Sequence, residues 1–254
     1  MLHTQDKKSM LGQGIVIFVY LAVLTGLEFL VAISFDSVPL LVTVALVKAA
    51  LVVYYYMHVY KLNLEHEDNE SYEYKSGTNR LGLWLFLISD SFVFAGLMAM
   101  RINLLGITRP ELNQFLGLGV TAVLLISSFF MNRGETLIHN GDRQGFLVNT
   151  AVTFLMGLGF LLGVILVEWR LAIEEGMTPS SGPAGAAFFM MTGMHAFHVF
   201  TGLILLAIIW FNGRRGLYDN KNYPVEAAAV YWHFVDVVWI FFYPALYLIG
   251  TAIK

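Results

Sequence analysis

The chain has 254 residues, of which 57 % are apolar and 13 % charged, with a formal net charge of −3. Soluble domains carry about 25 % charged residues, so this composition places the chain in a bilayer, and its near-neutral charge points away from a nucleic-acid partner. The absence of cysteine excludes disulfides, thiolate-held metals and iron–sulfur clusters.

Taken in chain order, the polar start MLHTQDKKSM is followed by an apolar run that contains Glu28 and has no small-residue cleavage site. It reads as a retained first span rather than a signal peptide. Apolar runs long enough to cross a bilayer, about 20 residues each, lie near 12–34, 38–61, 81–103, 112–132, 146–168, 184–212 and 225–251. The expected fold is therefore an all-α integral membrane bundle of seven transmembrane helices. The connections are short except for KLNLEHEDNESYEYKSGTNR (Lys61–Arg80), a polar acidic stretch that reads as a join between two units. The N-terminus and the second, fourth and sixth connections are rich in Lys and Arg. The opposite side holds only Arg101, Arg109, Arg170 and Lys254. The richer side is expected to be cytoplasmic, with the N-terminus inside and the C-terminus outside.

Within the spans, Glu28 and Lys48 form an odd pair in the outer half of the first hairpin, and an ion pair tying that hairpin together is the simplest reading. Gly157, Gly159 and Gly163 in one span, with Gly159 and Gly163 in GxxxG register, and Gly193, Ala196 and Gly202 in another, suit close helix packing. Glu168, beside Trp169, is expected at the outer end of its span.

Asp90 falls roughly 13 Å from the cytoplasmic edge at about 1.5 Å per residue, His233 at a similar depth and Asp236 somewhat deeper. His195 and His198 enter from the other side and also fall near the midplane. These groups are expected to meet in one polar patch, with Asp90 joined to His233 or Asp236. Ionisable groups at that depth are candidates for function, and an interhelical hydrogen-bond network is the alternative. A b-type haem held by His195 and His233 is a third reading. His195 and His198 share one helix face, so they cannot hold one iron from opposite sides. The surrounding Phe and Trp leave no evident groove, and no compact His and carboxylate cluster marks a metal. The connections carry Glu65, His66, Glu67, Asp68, Glu70, Glu73, Glu135, His139 and Asp142, a solvated face that could also buffer protons.

Three stretches carry a family resemblance: GLWLFLISDSFVFAGL (Gly82–Leu97), FFMMTGMHAFHVFTGLILL (Phe188–Leu206) and EAAAVYWHFVDVVWIFFY (Glu226–Tyr243), with VEWRLAIEEGMTP (Val167–Pro179) between them. From Leu81 onward the chain resembles subunit III of the haem-copper respiratory oxidases in its five-helix form. VKAALVVYYYMHV (Val47–Val59), with Lys48, Met57 and His58, resembles the small subunit IV of prokaryotic oxidases. The implied organisation is a subunit IV-like hairpin over 1–62, a linker over 63–80 and a five-helix domain over 81–254. The alternative is that the hairpin stands in for the first two helices of a seven-helix subunit III.

The resemblance implies a role without a catalytic centre of its own, inside a proton-pumping oxidase that passes electrons from cytochrome c to oxygen. It implies no cofactor in this chain beyond bound phospholipid, with haem and copper in subunit I and copper in subunit II. Subunits I and II, membrane lipids and a larger respiratory supercomplex are the implied partners, in a prokaryotic cytoplasmic membrane. By position, Asp90 matches the buried acid of the family's first shared helix. His195, His198, His233 and Asp236 match its two signature helices, and Glu168 matches the acid of the helix between. Pro244 departs from the pattern, and its missing N–H is expected to kink the last helix. A haem b electron carrier, a proton-coupled transporter and the subunit III-like accessory protein of nitric oxide reductases are the competing readings. The absence of paired broken helices argues against the transporter.

Overall fold

The helices form where runs of Leu, Val, Ile, Phe and Ala leave no water to satisfy the backbone, so each peptide group must bond within its own segment. The computed structural model describes residues 2–34, 37–57, 72–218 and 222–253. Among these it has seven helical stretches long and apolar enough to cross a membrane. They are α1 (Leu2–Ser34), α2 (Val38–Leu51) with a π-helical continuation Val52–Tyr56, α3 (Tyr72–Leu105), α4 (Gln114–His139), α5 (Arg143–Leu162) continued through π-helical Gly163–Glu168 into α6 (Trp169–Glu174), α7 (Pro183–Arg214), and α8 (Tyr223–Tyr243) with π-helical Pro244–Leu248. Seven successive crossings put the N-terminus at one end of the bundle and β1 (Thr108–Pro110) and β2 (Thr251–Ile253) at the other.

Local chemistry sets the starts of several helices. Asn113 accepts from the backbone N–H groups of Phe115 and Leu116, both at 3.1 Å, and Asp142 accepts from Gly145 at 2.9 Å. Proline stands in the first turn of α2, α7 and α8, where its missing N–H costs nothing.

Several expected spans change at their ends, the first beginning already at Leu2. The fourth continues to His139, because Asn132, Arg133 and Glu135 extend the helix past the apolar run. The fifth continues to Glu174, which moves Glu168 from the end of its span into the bundle. The second is helical to Tyr56, and its last expected residues, 58–61, lie outside the described residues. The third starts early: residues 72–80, expected as linker, already form the first turns of α3. The last stops at Leu248. Gly250 turns with φ +91° and residues 251–253 pair in parallel with 108–110. The remainder of the acidic connection, with Glu65, His66, Glu67, Asp68 and Glu70, lies outside the described residues, as does His58.

α8 is the axis of the bundle: 78 % of its apolar window is buried, against 17 to 44 % in the other six crossings. Trp232 shows how it is gripped. A Cβ added at Gly157 of α5 would collide with its ring, one at Gly202 of α7 would come within 2.9 Å, and its indole N–H donates to Ser127 of α4 at 3.1 Å. Three helices thus close on one side chain. The glycine that matters in α5 is Gly157, and the GxxxG pair is a correction: Gly159 meets nothing within 4 Å, and Gly163 makes only an ordinary contact with Val120. At Pro244 the last helix widens to π-helical geometry, which absorbs the missing donor.

Arg101 ties the strand end together. The residue is 2 % exposed, and its guanidinium donates to the carbonyls of Ala245 (2.9 Å), Gly106 (2.8 Å), Thr108 (2.7 Å) and Ile249 (3.3 Å). Four carbonyl dipoles replace the water this cation gives up.

Candidate functional site: ionisable groups inside the bundle

Glu28 on α1 and Lys48 on α2 meet at 2.5 Å, with side-chain exposures of 0 and 1 %. Neither helix alone hides them, because only the hairpin fold brings the two together. The Tyr56 hydroxyl adds a second tie, donating to the Gly14 carbonyl at 3.1 Å. The pair carries no net charge, which is what permits it in apolar surroundings.

The other groups separate into distinct sites rather than one patch. His233 Nδ1 lies 2.9 Å from the Ser128 hydroxyl, which also hydrogen-bonds Asp236 one turn along α8. The Tyr56 ring stacks obliquely on His233 with centroids 5.0 Å apart. This cluster links α8 to α4 and to the hairpin.

Asp90 does not join it, contrary to expectation. Its Oδ2 lies 3.0 Å from Nε2 of His198, because its place on α3 turns it toward α7. Nδ1 of the same imidazole donates to the Met194 carbonyl at 2.8 Å, which fixes the ring's direction. The Phe94 ring edges the imidazole at 4.7 Å.

His195, one turn before His198, sits among aromatic rings: Trp239 stacks on it at 4.9 Å and Phe160 meets it edge-on at 5.6 Å. Neither ring nitrogen has a hydrogen-bond partner among the described residues. His195 and His233 therefore pack against different partners, and flat rings already cover the faces where a haem would lie. Among the described residues no three His, Asp or Glu side chains come together as ligands of a metal would.

Glu168, 4 % exposed, accepts from the Tyr247 hydroxyl at 2.6 Å. Both residues lie in π-helical segments, so this bond joins the two places where the helical register widens.

Two groups escaped sequence reasoning. Arg101 is one. The other is Arg80, whose guanidinium binds both carboxylate oxygens of Glu226 at 2.8 and 2.9 Å and joins the start of α3 to the start of α8. The only signal for either was a cation near a helix end, which normally means a solvated side chain.

Seven apolar crossings with charged side chains sealed between them define a polytopic integral membrane subunit. The profile of the family described as cytochrome c oxidase subunit III matches residues 12–251, and the chain belongs to that family. The match runs through the N-terminal hairpin as well as the five helices after it. Among relatives, cytochrome c oxidase subunit 3 of Synechocystis sp. is 36 % identical over 178 residues, covering 66 % of this chain and 74 % of that protein. Quinol oxidase subunit 3 of Bacillus subtilis is 32 % identical over 208 residues, covering 74 and 99 %. Cytochrome bo(3) ubiquinol oxidase subunit 3 of Pseudomonas aeruginosa is 32 % identical over 196 residues, covering 73 and 91 %.

Proposed function

We propose that the chain is a non-catalytic subunit III of a proton-pumping haem-copper oxidase, with cytochrome c as donor and oxygen as acceptor. In this reading it packs against subunit I, with subunit II and larger respiratory assemblies as further partners. It lies in a prokaryotic cytoplasmic membrane with its N-terminus inside. The observation that supports the non-catalytic role is the state of His195, His198 and His233: the last two are committed to protein partners and His195 is enclosed by aromatic rings. The excess of Lys and Arg at the N-terminal end supports the orientation.

Buried pairs such as Glu28–Lys48 and Asp90–His198 serve to fix helix orientation and so to shape the surface offered to subunit I. Lipid occupies an apolar cleft of about 370 Å³ between the end of α2, α3 and α8, walled by Trp84, Phe94, Phe234 and Phe241. No charged side chain faces it, which suits an acyl chain.

The test is purification under mild detergent, identification of the accompanying chains and a haem spectrum of each. Co-purification with two larger chains, with haem on one of them and none on this chain, is the expected result. Stoichiometric haem on this polypeptide alone would overturn the reading.

A further inference from the structure

Asp236 is 1 % exposed and lies roughly 20 Å along α8 from Tyr223, at about 1.5 Å per residue. Its surroundings give little support to a negative charge. Ser128 on α4 supplies a hydrogen bond, while the carboxyl oxygen Oδ2 has no hydrogen-bond partner among the described residues. An ionised carboxylate offers about four lone-pair positions and gives up its water at this depth, so one hydroxyl leaves it largely uncompensated. Asp90 differs, since it lines a groove between α3, α7 and α8 and its side chain is 16 % exposed.

The charges around Asp236 already balance without it. Lys48 on α2 is within electrostatic reach, but its ammonium is in contact with Glu28 at 2.5 Å, and those two cancel. An ionised Asp236 would leave the cluster one charge out of balance. From the π-helical end of α2 comes Tyr56, a neutral phenol whose hydroxyl is committed to the Gly14 carbonyl. Asp90 on α3 faces His198 on α7, and His195 on α7 stacks on Trp239. His233, one turn earlier on α8, is the group left to act as counter-ion, with Nδ1 2.9 Å from the same Ser128 hydroxyl. A charged imidazolium there would make two desolvated ions held apart by a serine, which an apolar interior tolerates poorly. Neutral forms of both residues use the same hydrogen bonds and bury no charge.

We propose that Asp236 is a proton-binding site inside the membrane, occupied at neutral pH. The acid O–H donates to Ser128, and the Ser128 hydroxyl donates to Nδ1 of a neutral His233. One directed chain then runs from α8 to α4 and back. The oxygen without a partner is an uncharged carbonyl, which is far cheaper to bury than half of a carboxylate.

The experiment is infrared spectroscopy near neutral pH on the protein purified from membranes with whatever chains accompany it, so the outcome is separate from the identity of those chains. The spectrum of the wild type minus that of Asp236→Asn contains the C=O stretch of a hydrogen-bonded carboxylic acid, which moves to lower frequency in D2O. Ser128→Ala removes the acceptor, so in that variant the band persists and shifts to higher frequency. Should Asp236→Asn fail to accumulate, the wild type minus Ser128→Ala shows the same band as a shifted pair. Carboxylate stretches in place of the acid band, or an acid band that ignores Ser128→Ala, would overturn the proposal.

Discussion

Glu28–Lys48 and Asp90–His198 are both carboxylates facing a basic nitrogen inside the membrane-spanning bundle, yet they sit in different physical worlds. The first is sealed, with exposures of 0 and 1 %. The second lies on a groove wall, with exposures of 16 and 8 %. A sealed pair has no alternative partner, so each member depends on the other, and its value is to lock the hairpin. A pair on a groove is partly open to its surroundings, so neither member depends on the other to the same degree. A carboxylate facing a basic nitrogen is therefore a rivet in one place and a looser, groove-side contact in the other.

The sharpest way to break that contrast is Lys48→Met. It strands a buried carboxylate and should cost about 3–5 kcal/mol, the loss typical when one partner of a buried pair is removed. The measurement is the thermal denaturation midpoint of the purified protein and the amount recovered from the membrane. The double variant Glu28→Leu/Lys48→Met should regain most of that stability, since no uncompensated charge is left. If it does not, packing rather than charge pairing holds the hairpin.

Gly157→Val comes next. It drives a branched side chain into Trp232 and should cost about 2 kcal/mol through overpacking. Gly159→Val, with open space around it, serves as the silent control in the same denaturation assay. Asp90→Asn is expected to be milder, about 1 kcal/mol, because groove exposure lets His198 find other partners. A loss as large as that of Lys48→Met would erase the difference between the two pairs. At the far end, Arg170→Ala removes an i,i+4 pair with Glu174 whose side chains are 78 and 56 % exposed, and it should leave the denaturation midpoint unchanged.

Much of the fold was legible in the residues, and rather less of the site. Charge-free runs such as Leu116–Met131 announce a membrane crossing without help from neighbours. The polar turns at Asn132–His139 concealed how far α4 goes, since helix formation continues beyond the apolar stretch that reveals it. The last span read as helical to residue 251, yet the helix stops at Leu248 and 251–253 form a strand, because Gly250 and the carbonyls gathered by Arg101 redirect the chain. Among the ionisable groups, depth was readable but facing was not. Asp90, His233 and Asp236 fall at similar levels, yet Asp90 turns to His198 on α7 while His233 and Asp236 share Ser128 on α4. Pro244 signalled a disturbance in the last helix. That the disturbance would be a π-helical turn placing Tyr247 on Glu168 depended on a neighbour more than seventy residues away in sequence.

By itself the sequence determined the number of crossings, their order and the family signatures, since a run's hydropathy and a motif's spacing are local properties of the chain. The tertiary structure alone decided which face each helix turns to which neighbour. Rotation about a helix axis is not fixed by the helix's own apolar residues when lipid and protein interior are equally apolar. It is fixed by close approaches such as Trp232 between Gly157 and Gly202, and by the few polar bonds that cannot be left unmade.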